Sequence, residues 1–246
     1  MNQTTIERLI AINRAFYERT AADFDQTRGQ PWPGWERLLA HLPGGGGSLR
    51  VLDVGCGNGR LGLFLAANRT QPDDRLIYHG IDSSPALLER ARESLAGLPG
   101  VSATLDMRDA LLDVPPAGVY DLVAVFGVLH HVPGFDFRRR WLRTLASRVA
   151  PGGLLAFAAW RFYEYERFQR RIVPWPPELA EQVERHDYLL DWRRGVQALR
   201  YCHYVDDAEH AELVRACDLP ERESYRADGF TGAVNRYSIL GREPRR

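Results

Sequence analysis

The 246-residue chain has no lysine: its 32 basic residues are all Arg, set against 32 Asp and Glu. Without an amine there is no Schiff-base or lysine general-base chemistry. Guanidinium groups suit planar phosphate or carboxylate partners, although a GC-rich genome produces an all-Arg composition with no function attached. The zero formal charge argues against a domain that is basic all over. Cys56, Cys202 and Cys217 are too few and too scattered for a disulfide framework. The spacing of Cys202, His203 and Cys217 does not suit zinc, so no metal is expected. No apolar run reaches the length of a membrane span, and Met1 to Thr5 lack a signal-peptide core. A cytoplasmic protein with no membrane partner is expected.

What the sequence does contain is organised around Leu49 to Arg60. Val51, Leu52 and Val54 are the short apolar run of a strand covered on both faces. Gly55, Gly57 and Gly59, with Cys56 and Asn58 between them, form a loop that lets the backbone approach a ligand ahead of the helix 61–67. The spacing is neither that of a dinucleotide-binding loop nor that of a phosphate-binding loop with Lys. Asp53 precedes the first Gly by two residues. Asp82 follows Asp53 by twenty-nine and ends a second strand, 76–82, before Ser83, Ser84 and a helix-starting Pro85. A carboxylate in that place can accept both ribose hydroxyls of a nucleoside.

Residues 4–20 carry a helical apolar pattern. The stretch that follows, with Arg28 and the proline-flanked Trp32, suits a lid within the N-terminal segment 1–48, while Phe16 and Phe24 read as packing on the sheet. Further helices are expected over 34–42, 86–95 and 137–149. Further strands are expected over 101–105, 120–126 and 154–160. Asp109 and Ala110 follow the third strand, with Asp106 as a competing loop acid. Phe126, His130 and His131 follow the fourth strand, where an open α/β sheet forms its reaction crevice. Residues 161–199 break the pattern and are expected to be an insertion over the strand ends within one domain, 1–246. Between Arg138 and Arg171 nine Arg stand against two acids. Such a run is commonly a solvated helix face. The interleaved Trp141, Phe162, Tyr163, Tyr165 and Phe168 also suit RNA contact. A helix over 206–217 and two closing strands, near 222–226 and 233–240, complete the chain.

The motif Val51-Leu52-Asp53-Val54-Gly55-Cys56-Gly57-Asn58-Gly59 together with Asp82 resembles class I S-adenosylmethionine-dependent methyltransferases. That resemblance implies a Rossmann-like, mostly parallel seven-stranded sheet with its last strand antiparallel and helices on both faces. It also implies S-adenosylmethionine held by Asp53, Gly55, Cys56, Gly57, Asn58, Gly59, Asp82, Ser83, Asp109, Ala110, Phe126 and Trp32. Four places, 24–33, His130-His131, Val173-Pro174-Trp175 and Arg200 to Tyr204, are similar to enzymes that esterify a carboxymethyl group on the tRNA wobble uridine. Gln30 and Cys202 depart from that family's pattern, and the insertion has no lysine-rich tract. The resemblance implies tRNA as substrate and a small zinc-binding activator subunit as partner.

Methyl transfer to a carboxylate needs alignment rather than a general base, because the acceptor is already ionised at neutral pH. Arg28 and His203, with His130 or His131 alongside, are the residues expected to hold it. A small-molecule O- or N-methyltransferase and an inactive cofactor-binding scaffold are the competing readings.

Overall fold

Apolar residues alternate along the strands, and this puts a covered sheet at the centre of the molecule. In β1 (Ser48–Val54), Leu49 and Val51 point to one face while Leu52 and Val54 point to the other. In β5 (Val149–Trp160), Leu154, Ala156 and Ala158 join the first face, and Leu155, Phe157 and Ala159 the second. The computed structural model describes residues 1–26, 29–192 and 196–244, without side chains for 21–26.

Besides β1 and β5, the main sheet contains β2 (Arg75–Asp82), β3 (Val101–Met107), β4 (Tyr120–Val125), β9 (Glu221–Ala227) and β10 (Asn235–Gly241). Their spatial order is β3-β2-β1-β4-β5-β10-β9. β1 pairs parallel with β2 and β4, whereas β10 runs antiparallel to both its neighbours. This is the Rossmann-like, mostly parallel sheet with an antiparallel last strand that the sequence implied. Trp35 and Leu38 of α2 (Gly34–Leu39), Leu61 and Leu65 of α3 (Arg60–Ala67) and Leu88 of α4 (Pro85–Leu95) cover one face. Trp141, Leu142 and Leu145 of α5 (Phe135–Ala146) and Leu213 of α8 (Asp207–Ala216) cover the other.

Between β5 and α8 the chain forms α6 (Glu166–Gln169), β6 (Ile172–Val173), α7 (Pro177–Ala180), β7 (Asp187–Trp192) and β8 (Ala198–His203). The three strands make a second, antiparallel sheet. The interruption expected over 161–199 therefore continues through His203. The long helix α1 (Gln3–Gln26) packs on this sheet, where Leu9 meets Leu189 and Tyr201. Among the described residues no helix is long and apolar enough to cross a membrane.

Two boundaries differ from expectation for identifiable reasons. The fifth strand starts at Val149, which the periodicity assigns to the preceding helix. Tyr120 N–H already donates to Arg148 O at 2.8 Å, and Val149 pairs with Tyr120, so the sheet captures the chain there. The Pro151-Gly152-Gly153 turn becomes an irregularity within the strand. A Cβ on Gly153 would lie 2.9–3.0 Å from three carbonyl oxygens. The third strand runs on through Asp106 to Met107, which pairs with Asp82.

The two sheets are joined by a buried charge network. Arg138, 0% exposed, donates from Nε to Glu209 at 2.7 Å, from Nη2 to Glu184 at 3.2 Å and from Nη1 to Val132 O at 2.7 Å. It thereby ties α5 to α8 and to the insertion. Without it two partly buried carboxylates would lose their cation, a larger penalty than losing a surface pair. Arg138→Ala is expected to destabilise the fold by about 3–5 kcal/mol in urea titrations. The exposed Arg140→Ala should stay within about 0.5 kcal/mol of wild type.

Candidate functional site

The glycine loop is bonded to the end of the neighbouring strand. Gly55 and Cys56 N–H donate to Ile81 O at 2.8 and 3.0 Å. Asp82 accepts from Gly57 N–H at 2.9 Å with one oxygen and from Ser84 N–H at 2.8 Å with the other. Gly55 has φ +74°, and a Cβ there would meet Val128 Cγ2 at 2.3 Å, so no other residue fits this turn.

Above this junction lies a cavity of about 150 Å³. Asp53, Gly55, Cys56, Gly57, Asn58, Asp82, Ser83, Asp109, Ala110, Phe126 and Trp32 all line it, so eleven of the twelve expected cofactor residues come together. The exception is Gly59, which turns the chain into α3 with its Cα against Ala91. Asp106 lies outside, held by His79 at 3.0 Å and Arg108 at 3.3 Å, while Asp109 is on the wall.

Both signs of charge line this cavity, Asp53, Asp82 and Asp109 beside Arg14 and Arg60. The carboxyl of Asp53 is pushed up to about 7, above all by burial; the nearby Asp82 charge adds to this, and the Tyr78 hydrogen bond and Arg60 oppose it. Tyr78 O–H donates to Asp53 at 2.6 Å. The Cys56 thiol is pushed well up by burial and by Asp53 and Asp82, so it stays protonated and is a packing residue, not a nucleophile.

The two histidines diverge. His131 lines the first cavity; its Nδ1 lies 3.0 Å from Tyr201 O and 3.1 Å from Asn13 Nδ2. Its Nε2 is bonded to the Tyr17 hydroxyl at 2.8 Å. His130 faces a second cavity of about 380 Å³, lined also by Trp160, Arg167, Arg171, Asp191 and Arg200. Trp32 and Gly127 belong to both walls and separate the two spaces. Trp32 is held by stacking on Trp35 at 5.6 Å and by the Arg60 guanidinium 5.5 Å above its ring. Arg200 is buried, its guanidinium 4.9 Å from the Trp160 ring and 5.3 Å from that of Phe16.

Several expectations change here. His203, expected to hold the acceptor, is 1% exposed and lines neither cavity. Its two nitrogens face Asp187 and Glu209, each at 2.7 Å. Burial and the Arg138 charge disfavour its imidazolium, but these two carboxylates outweigh them and raise its pKa. It braces β8 against α8. Arg138, counted within the basic run, is interior, as is Arg161. Arg143 and Arg148 are bonded to the carbonyls of Ala216 and Pro115. Arg28 lies outside the described residues. His130, His131 and Cys202 place one ligand atom each within 4.8 Å of one another, as do Glu184, Asp187 and His203. Hydrogen bonds to both ring nitrogens of His131 and of His203 account for these groupings.

Sequence reasoning missed Asn13, Arg14 and Tyr17 of α1, which close the first cavity. Arg14 donates to Asp109 at 3.0 Å. Asn13 Oδ1 accepts from Tyr201 N–H at 2.9 Å, and Asn13 Nδ2 lies 3.1 Å from His131. A signal existed: Asn13 and Tyr17 are four apart on an otherwise apolar helix stripe.

Residues 52–155 match the family model described as a methyltransferase domain. It is 36% identical over 143 residues to ribosomal RNA large subunit methyltransferase G of Streptomyces griseus subsp. griseus, covering 56% of this chain and 36% of that protein. It is 26% identical over 214 residues to tRNA (carboxymethyluridine(34)-5-O)-methyltransferase of Schizosaccharomyces pombe, covering 80% and 84%. The chain thus spans about a third of the first relative and most of the second. A solved S-adenosylmethionine-dependent methyltransferase from Methanosarcina mazei shares the fold, with TM-score 0.65 and 17% identity over 88% of this chain and 100% of that one.

The Asp53 carboxyl gives this fold a pH signature. Folded, it holds its proton up to about 7; unfolded, it titrates near 3.8. Its stabilising contribution is therefore full below the unfolded value and lost as pH rises through about 7. Asp53→Asn should gain on wild type between pH 5 and 7 by up to about 1.4 kcal/mol per pH unit. Denaturant titrations across that range check it; parallel pH profiles would remove the buried-carboxyl account.

Proposed function

We propose that the chain transfers a methyl group from S-adenosylmethionine to the carboxylate of a carboxymethyl-type group on the wobble uridine of tRNA. The observation that carries this reading is the pair of cavities that meet at Trp32 and Gly127. One holds the glycine loop and Asp82; the other holds Arg167, Arg171 and Arg200, with Asp191 and Asp228 on the same wall. S-adenosylmethionine supplies an activated methyl group on a positively charged sulfur. Asp82 suits ribose hydroxyls, and Leu87 and Leu111 suit a flat ring beside Asp109 and Ala110.

On the acceptor side, Arg200 is stacked between Phe16 and Trp160, which fixes its guanidinium plane for a bidentate grip on a carboxylate. Trp32, Trp160 and Phe168 exclude water around it. His131 is bonded at both ring nitrogens, to Tyr17 on one side and to Tyr201 O on the other, and so serves as a fixed wall. A carboxylate acceptor needs no base, which fits this arrangement. Both relatives named above are RNA methyltransferases by name, which supports an RNA acceptor. The reading includes a cytoplasmic location, consistent with three free cysteines, and a small zinc-binding activator subunit.

The deciding experiment compares nucleosides of tRNA from cells with and without the gene by mass spectrometry, then repeats methylation with purified protein. The product should be an ester that releases methanol in mild alkali; an alkali-stable methyl group, or esterification of small acids without RNA, overturns the reading. Arg200→Lys keeps the charge but loses the planar fork, so kcat should fall roughly tenfold to a thousandfold with a smaller change in KM. Asp82→Ala should weaken S-adenosylmethionine binding by about 2–4 kcal/mol in calorimetry.

A further inference from the structure

At the rim of the second cavity stands a single exposed aromatic ring with an unusual set of supports. Phe230 sits on the turn between β9 and β10 and is 55% exposed. Tyr165 and Phe168 pack against it, at centroid distances of 5.3 and 6.2 Å. The guanidinium of Arg167 lies 4.4 Å from its ring centroid. Thr231 Oγ1 donates to the Tyr165 hydroxyl at 3.2 Å, joining the turn to the insertion. Arg167 and Phe168 line the cavity together with Asp228 and Gly229, which lead directly into this turn. The ring is thus propped from the side by aromatics and covered by a cation, while more than half its surface faces solvent.

We infer that Phe230 and Arg167 form a stacking platform for the nucleobase next to the nucleotide whose modified base enters the second cavity. This rests on the proposed RNA acceptor. A patch built to dock an apolar protein surface would present several contiguous apolar side chains. Here one ring carries the exposed Arg167 over it, with Arg171 in the wall of the adjoining cavity. Arg170 is bonded to Glu166 at 2.5 Å, so Arg167 is the cation set over the ring. Aromatic face plus guanidinium is the combination that takes a base and its phosphate together, tolerant of base identity. An acceptor base inserted past Phe168 leaves its neighbour in the strand at the cavity rim.

The test uses the full chain, an anticodon stem-loop carrying the unmethylated acceptor, and the same stem-loop with 2-aminopurine beside the acceptor. Wild-type protein should quench the 2-aminopurine fluorescence by stacking; Phe230→Ala should not, and Phe230→Trp should restore quenching. Phe230→Ala and Arg167→Ala should raise KM for the stem-loop tenfold to a hundredfold with little change in kcat or in S-adenosylmethionine affinity. Stem-loop methylated by Phe230→Ala with unchanged KM and full quenching overturns the platform alone. Wild-type protein that neither binds nor methylates the RNA overturns the platform together with the RNA reading.

Discussion

The hydrogen bonds that fasten the glycine loop to the end of β2 hold the functional part of this molecule in place. Asp82 bonds Gly57 N–H on one side and Ser84 N–H on the other, so one carboxylate sets both the loop after β1 and the start of α4. Ile81 O takes the N–H groups of Gly55 and Cys56, which leaves no freedom for the turn to open. Asp82 is thereby oriented before any ligand arrives. Such preorganisation avoids the entropy of ordering a loop upon binding. The close approach of Val128 to Gly55 extends the constraint to the segment after β4, and so to the position of both histidines.

Charge is used in two separate ways on the remainder of the chain. The buried Arg138, His203 and Asp187, with the half-buried Glu184 and Glu209, hold α5, α8 and the second sheet together. Their cost of desolvation is offset by close pairing, with Tyr201 O–H adding a further bond to Asp187 at 2.8 Å. The guanidinium groups at the second cavity serve instead to face a ligand. The same residue type thus fills structural and recognition roles within 138–171, and burial separates the two.

The strand-loop-helix core was legible because its signals are local. Three glycines in five residues, an acid ending each of two strands, and alternating apolar positions specify the loop, Asp53 and Asp82 without knowledge of the fold. Arg138 was misread because charges were counted along the chain and not around the helix. It shares a stripe with Trp141, Leu142 and Leu145 at spacings of three, four and seven, the buried face of α5. His203 was misread because residues 200–204 were not recognised as a strand. In β8, residues an odd number apart face opposite ways, so Arg200 and His203 cannot both look into one cavity. Tyr201 and His203 share a face, and both meet Asp187. The contributions of Asn13 and Tyr17 depend on where α1 docks, which only the tertiary structure sets.

The meeting of two cavities at Trp32 and Gly127 carries a chemical consequence. A cation in the first cavity and an anion in the second would each be costly to desolvate alone. Held on either side of a thin partition, each lowers the cost of placing the other. A reaction that neutralises the two charges as its bond forms is favoured in a site that excludes water. An uncharged acceptor would gain nothing from Arg167, Arg171 and Arg200 and would need a base to take its proton. His131 is already bonded at both ring nitrogens. On the proposed reading the acceptor is therefore selected by charge first and by shape second, at the guanidinium of Arg200.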